Sequence, residues 1–359
     1  MKKTAELAQL RQLCRLGLHG EAIMPAFLRS LRALVPAGFG AFFWVDASGD
    51  MTNMYSERML PADVTSRYFR QHYDSAVHTF REQVLAQVRS GELVREFVPD
   101  PAMLASDYYR QVREPLGAFR TLRAVLHERG TPIGQLSLYR AQGAPAFGGG
   151  ERETLETACR YLLQALQSGT TAAAVDAGQF RESGQAALLV CGVDGGVQQA
   201  SGRGHALLAQ ASGCRINRLT MVGELERAAL ALLRRLLPGA QAAAGVEDAP
   251  THELQVLNEW GAFRLRAYPL AAGFGVLIER HEHLLVRLLD AMRGLALSAQ
   301  QREVALLLAR GFTNPEVARE LGVSQNTASY HVKQLFTKLD AHDRAEVISR
   351  VLEGHTVRH

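Results

Sequence analysis

No apolar run in this 359-residue chain approaches the roughly 20 residues that a membrane-spanning helix needs, so no membrane partner is expected. Cysteine is scarce. Cys14, Cys159, Cys191 and Cys214 lie far apart, and none forms a CxxC pair or stands at zinc-ligand spacing from histidines. They read as reduced, mostly buried thiols, and no metal is expected. A glycine-rich phosphate loop, a nucleophile elbow and paired catalytic acids are all missing, which argues against an enzyme and against a cofactor. A phosphoacceptor receiver would open on a strand ending in paired acids; only Asp46 and Asp50 are present, in a glycine-containing turn. Lys2 and Lys3 have no apolar run behind them, so the start reads as an amphipathic helix and not a signal peptide, with the cytoplasm as the expected compartment.

The chain is 47% hydrophobic and 21% charged, as an ordinary globular protein of two or three domains would be. A net charge of +4 permits an anionic partner without requiring one. Helices are expected at about 4–18 and 21–35, then strands at 41–45 and 51–55, joined by a turn at Asp46-Ala47-Ser48-Gly49-Asp50. Two helices at about 61–73 and 76–90 follow, then strands at 122–128 and 133–139. Leu155, Ala158, Leu162 and Leu166 place a helix over 151–167. Residues 168–185, rich in Ser, Gly, Thr and Ala, read as a linker. Beyond it come a strand at 187–193, helices at 204–211 and 224–237, a loop at 238–252, and strands at 253–257, 262–269 and 274–279. A helix over 281–293 leads to the last block. No repeat of fixed period is visible. The fold class is therefore α+β and multidomain: two antiparallel-sheet blocks, then an all-α four-helix block. The boundaries are 1–167, 186–280, a helical linker at 281–296, and 297–359.

The chemistry is clearest in the last block. Ser298 with Gln301 and Thr313 with Glu316 are capping-box patterns. Gly311 and Gly322 can end the two helices that follow. Ser324 caps a third helix running to about Lys338, and Asp343 with Glu346 opens a fourth. A two-turn helix, a tight turn at Gly322-Val323-Ser324 and a longer helix make a helix-turn-helix. On the third helix Ala328, Val332, Leu335 and Leu339 share one face, expected to bury against Val304, Leu307, Leu308, Val317, Leu321 and Ile348. The opposite face carries Asn326, Tyr330, Lys333 and Thr337, with Ser329 at its edge. No acid occurs between Glu320 and Asp340. Such a face suits base edges and phosphates in the major groove.

Leu297, Arg302-Glu303-Val304, Leu307, Gly311, Asn314, Glu316, Ala318, Leu321, Val323-Ser324, Thr327, His331-Val332, Lys338-Leu339 and Arg344-Ala345 closely resemble the LuxR-type DNA-binding domain. The resemblance implies a regulator of transcription that binds double-stranded DNA and works with RNA polymerase. It implies that Ser329, Tyr330 and Lys333, with Asn326 on the same polar face, point at bases. It also implies that Thr327 and Lys338, with backbone amides near Thr313 and Asn314, hold phosphates. Two positions depart from the pattern: Ala328 stands where the family often has Val, and Ser329 where it often has Lys or Arg. Cations and acids in this block number eight against seven, so a single head should bind weakly and a homodimer is expected. Val347, Val351 and Leu352 are its candidate pairing residues, although some of the apolar residues on that helix must be core.

Upstream, Asp107-Tyr108-Tyr109, Glu114-Pro115-Leu116-Gly117, Gly134 to Arg140 and Phe147 with Glu151-Arg152 resemble GAF-like sensor domains. The hairpin at 188–197 and the closing strands resemble a PAS-type module. Phe42, Trp44, Tyr55, Tyr68, Tyr73 and Tyr108 are candidates to line an effector pocket, with core filling as the plainer reading. Arg67-Tyr68 to Tyr73-Asp74 is weakly similar to the set that holds acyl-homoserine lactones, but the expected Asp-Pro is Asp74-Ser75. His281 and His283 are placed on a helix, facing different ways. A partner protein that titrates another regulator without touching DNA is the rival function, kept open by Ser329.

Overall fold

The computed structural model describes residues 2–167, 179–217, 219–242 and 252–354, without the side chains of residues 2, 73–78 and 238–242. It divides into two compact units. The first holds Met1–Ala177 and Ser183–His281; the second holds Gly178–Glu182 and Glu282–His359.

The first unit opens with α1 (Lys2–Cys14), α2 (Gly20–Leu34), β1 (Phe39–Val45) and β2 (Met51–Ser56). A long helix α3 (Ala62–Ser90) follows. The two helices expected at 61–73 and 76–90 are one helix with a break in geometry at His72 (φ −124°, ψ 23°). Next come β3 (Val94–Phe97), the short α4 (Pro101–Leu104), a π-helical turn at Tyr109–Arg113 and α5 (Glu114–Leu116), none of which the apolar pattern announces. β4 (Arg120–Glu128), β5 (Thr131–Arg140) and α6 (Gly149–Gln167) complete this half. β4 and β5 form a two-residue hairpin in which Arg129 (φ 48°) and Gly130 (φ 86°) both take positive φ, the turn that matches strand twist.

The five strands lie in the order β2-β1-β5-β4-β3, all antiparallel. Strand alternation divides the sheet into two faces. Phe42, Leu122, Leu136 and Leu138 are buried on one face, under α2 and α6, with α1 packed on both helices. Val45 and Val125 on the other face meet Val84, Phe80 and Val88 of α3. Phe43 and Phe80 bring their ring centroids to 5.4 Å.

The second half has β6 (Phe180–Cys191), β7 (Val197–Ala200), α7 (Gly204–Ala211), a 3₁₀ turn at Thr220–Val222, α8 (Glu224–Ala242), β8 (His252–Asn258), β9 (Gly261–Leu270) and β10 (Gly273–His283). Its strand order, β7-β6-β10-β9-β8, repeats that of the first sheet strand for strand. The repeat is one of topology; the residues carry no period. Three expectations are corrected here. The segment read as a linker becomes strand at Phe180, residues 168–178 lying outside the description. The loop placed over 238–252 is helical through Ala242, with 243–251 outside. β10 runs on to His283, so His281 and His283 sit on a strand and not a helix; a regular ladder to β9 overrides the helical composition that follows.

The two sheets meet at β2, an edge strand of the first. Met51, Met54 and Met59 pack with Ala209, Ile216, Met221 and Leu225 of the second half. Asn53 Oδ1 accepts the Ile216 N–H at 3.2 Å. Trp260, only 2% exposed, places its ring 5.7 Å from Trp44 and 5.8 Å from Tyr55. An edge strand offers unpaired backbone groups to other chains, and this packing covers it. The Glu57 carboxylate, nearly sealed, ties the halves further: it accepts the Gly40 N–H at 2.8 Å and pairs with Arg32 (2.9 Å) and Arg203 (3.8 Å).

The second unit contains α9 (Leu284–Ala291), a 3₁₀ turn at Met292–Gly294, α10 (Ala299–Ala309), α11 (Asn314–Leu321), α12 (Gln325–Leu339) and α13 (Arg344–Glu353). Leu285, Leu288, Leu289 and Met292, at helical spacing, are buried, and α9 packs on α10 and α13. The helix that reads as a connector is thus part of this unit's core. Among the described residues no helix is long and apolar enough to cross a membrane, and no group of three or more His, Cys, Asp or Glu could hold a metal ion.

Candidate nucleic-acid interface

Each helix of the second unit starts where a side chain can take its free amides. Ser298 Oγ accepts the Gln301 N–H at 3.2 Å and Gln301 Oε1 accepts the Ser298 N–H at 2.9 Å, a reciprocal capping box on α10. On α11 the Glu316 carboxylate accepts both the N–H and the hydroxyl of Thr313, each at 2.7 Å. These bonds hold the Glu316 carboxyl below the usual glutamate range. Ser324 Oγ accepts the Thr327 N–H at 3.2 Å to start α12, and Asp343 Oδ1 accepts the Glu346 N–H at 2.8 Å to start α13.

α11 is eight residues long and stops at Gly322, in the left-handed region (φ 65°). Nothing lies within 4 Å of where a Cβ would stand there. Glycine is needed at that point for backbone angle and not for space. The chain turns, and α12 begins three residues later, at Gln325. Ala328, Val332, Leu335 and Leu339 are all buried, as are Val304, Leu307, Leu308 and Val317; Leu321 and Ile348 are half-buried. One face of α12 is thereby fixed against α10 and α11.

The opposite face is open. Asn326, Ser329, Tyr330, Lys333 and Thr337 are exposed, Tyr330 at 59%. A phenol ring that exposed on an ordered helix is not filling a core. α12 has 15 residues, a length of about 22 Å at 1.5 Å per residue. It contains no carboxylate; Asp340, just past its end, pairs with Arg350 at 3.8 Å. The surface thus combines donors, acceptors, one aromatic ring and one cation, without a charge that would repel phosphate.

The residues expected to hold phosphates are less uniform. Thr327 is exposed, and its hydroxyl lies 2.8 Å from Ser324 Oγ. Lys338 is half-buried, with Nζ 3.5 Å from Gln301 Oε1. Asn314 is half-buried and helps line an open groove of about 510 Å³ with Val332, Phe336 and Arg344. The Thr313 amide is already used by Glu316, so a phosphate there would have to displace a carboxylate. The sequence carries the signal for this, because a capping-box glutamate takes the amide of the capping residue.

Two of the three pairing candidates on α13 face inward. Val347 and Val351 are buried (1% and 0% exposed), and α13 packs on α9 and α10. These two valines belong to the unit's own core; Ile348 and Leu352 are half-buried and keep some apolar surface.

Five of the six aromatic candidates for an effector pocket fall into two groups. Phe42, Trp44 and Tyr55 share one side of the first sheet, around Trp260. Tyr68 and Tyr108 meet each other (5.9 Å between centroids) elsewhere, Tyr68 on α3. The side chain of Tyr73 lies outside the described residues. A space bordered by Met54, Tyr55, Cys214 and Trp260 amounts to about 10 Å³, room for no effector.

The model of bacterial regulatory proteins of the luxR family (GerE) matches residues 295–351. A probable transcriptional regulatory protein, SgaR of Hyphomicrobium methylovorum, is 41% identical over 54 residues, 15% of this chain and 26% of that one. A putative HTH-type transcriptional regulator, YhjB of Escherichia coli (strain K12), is 37% identical over 51 residues, 14% of this chain and 26% of that one. The chain thus spans about a quarter of the length of the curated relatives it matches. Among solved structures it is similar to the N-acylhomoserine lactone dependent LuxR family transcription factor CepR2 of Burkholderia cenocepacia (15% identity, 46% of this chain and 93% of that one, TM-score 0.34). It is also similar to Escherichia coli SdiA (10% identity, 91% and 87%, TM-score 0.26).

Proposed function

We propose that this chain, whose C-terminus is a LuxR-family GerE helix-turn-helix, is a sequence-specific regulator of transcription that binds double-stranded DNA as a homodimer. α12 enters the major groove. Asn326, Ser329, Tyr330 and Lys333 read base edges, while Thr327, Lys338 and the start of α11 at Thr313 and Asn314 meet phosphates. RNA polymerase is the partner through which such a head acts. The single observation that carries the reading is the outer face of α12: exposed, polar, free of carboxylates, and rigidly backed by a buried apolar face.

The upstream unit is read as the sensor of a small molecule or partner, with a GAF-like block at 1–167 and a PAS-like block at 186–280. The shared strand order of its two sheets supports a common role for both. Pairing of two heads follows from charge: eight cations against seven acids over 297–359 give one head little hold on phosphates. Ile348 and Leu352 supply the apolar surface left on α13 for a second copy.

Ser329 favours a second reading, a helix-turn-helix that has lost its base-reading cation and titrates another regulator. Selection from a random duplex pool with purified protein separates the two. The first reading requires an enriched motif with two half-sites, and Lys333→Ala should abolish the enrichment. A pool that leaves selection as random as it entered supports the second.

A further inference from the structure

We infer that the α3-covered face of the first sheet takes a small aromatic carboxylate, held by the guanidinium groups of Arg113 and Arg123. The inference rests on the reading of this unit as a sensor.

Arg140, Arg152 and Arg120, buried or half-buried in this half, are matched. Arg140 donates to the carbonyls of Pro36, Pro145 and Ala146 and pairs with Glu151. Arg152 and Arg120 share Glu96. Arg113 and Arg123 differ. Arg113 is 8% exposed, yet its Nη2 reaches only the Phe119 carbonyl (3.2 Å) and Thr121 Oγ1 (2.9 Å). Its buried Nε bonds nothing. Arg123 Nε and Nη1 donate to Gln87 Oε1 (2.7 Å) and Gln83 Oε1 (2.8 Å), neutral amides of α3. Neither arginine forms an ion pair among the described residues. Arg113 is buried and Arg123 half-buried. A guanidinium withdrawn from water without a counter-charge is costly, and proteins rarely bury one unpaired.

Strand register and charge place both arginines around Tyr139, whose phenol feels each of them. Thr121, which Arg113 bonds, and Arg123 are two apart on β4, on one face, opposite Tyr139 and Ser137 of β5. Gln135 continues that row; its Nε2 donates to Ser137 Oγ at 3.2 Å, and its buried Oε1 has no partner. Burial lowers the Arg123 pKa, helped by Arg95, while the Tyr139 phenol is pushed up to about 12, chiefly by burial. Glu92, paired with Arg95 at 3.4 Å, opposes the shift of Arg123, which leaves the two guanidinium groups as the charges not neutralised here.

Flat rings complete the surroundings. The Arg113 guanidinium lies 5.3 Å from the Phe97 ring centre and 6.0 Å from that of Tyr139. Two backbone irregularities are linked through the rings of Tyr68 and Tyr108, 5.9 Å apart. The break in α3 at His72 lies one turn after Tyr68, on whose ring His72 stacks, and the π-helical turn ends on Arg113 itself. π-helical turns recur at functional sites because they re-aim side chains at the cost of regular bonding. Planar guanidinium forks match carboxylates bidentately, and aromatic walls favour a flat apolar body.

The test is calorimetric titration of full-length protein with benzoate, 4-hydroxybenzoate and phenylacetate, with benzamide as neutral counterpart and inorganic phosphate as plain anion. At least one carboxylate should bind saturably, near one per chain, while benzamide does not. Arg123→Gln and Arg113→Gln should each weaken it at least tenfold, and Arg123→Lys should lose less than Arg123→Gln. Thermal melts of the same variants establish that they fold. The proposal is overturned if no carboxylate binds, if benzamide binds equally well, if phosphate alone binds, or if folded Gln variants retain full affinity. No DNA is present, so this failure is separate from failure of the DNA-binding reading.

Discussion

Replacing Lys338 with alanine separates the two kinds of contact assigned to α12. Its ammonium reaches Gln301 Oε1 at 3.5 Å and makes no ion pair among the described residues, so its charge remains available to a phosphate. One phosphate contact contributes about −0.9 to the slope of log affinity against log salt. A homodimer that loses Lys338 from both heads should therefore lose about 1.8 from that slope. Between roughly 50 and 200 mM salt, a span of about 0.6 in log concentration, the gap between wild type and variant should narrow about 12-fold. Tyr330→Ala is the matched control. Its ring is exposed and uncharged, so the slope should hold while affinity for the selected operator falls. A base contact of that kind is worth about 1–3 kcal/mol, roughly 5- to 150-fold, at every salt concentration. Fluorescence anisotropy on one labelled operator across a salt series measures both. An unchanged slope in Lys338→Ala, or a changed one in Tyr330→Ala, would refute the division of labour.

Three further outcomes follow from the geometry. Ser324→Ala removes the acceptor for the Thr327 N–H at the start of α12, and should cost about 1 kcal/mol in denaturant unfolding of the C-terminal unit. Trp260→Ala empties the joint between the two sheets and should cost about 3–5 kcal/mol in unfolding of the upstream unit, leaving low-salt binding of non-specific duplex unchanged. Glu316 is held below its ordinary pKa by Thr313, so the stability its charge lends is whole above about pH 4.3 and disappears as pH falls through the lower folded value. Glu316→Gln should flatten the fall in melting temperature between about pH 5 and pH 3, and an equally steep fall in the variant would contradict this.

Local signals carried the C-terminal unit. Caps, glycine stops and the Ala328–Leu339 spacing are short-range features, and they placed α10 to α13 and the face of α12 that stays open. What escaped the sequence depends on distant partners. α9 reads as a connector until α10 and α13 cover its leucines, and the same contact turns Val347 and Val351 from surface into core. β3 is four residues long, too short to show alternation, and exists because β4 pairs with it. The aromatic residues look like one set along the chain, but strand alternation gathers Phe42, Trp44 and Tyr55 on one side of the sheet. Arg113 and Arg123 carry no signal in the sequence, because a cation lacking a carboxylate is visible only once its neighbours are known.

The most direct measurement is the affinity of the full-length protein for duplex oligonucleotides at low ionic strength, with amide protection across Val332–Leu335 showing that α12 is folded. The account predicts saturable binding that weakens steeply with salt and is tightest for a selected two-half-site duplex. A protected, folded α12 with no measurable affinity for any duplex would contradict it.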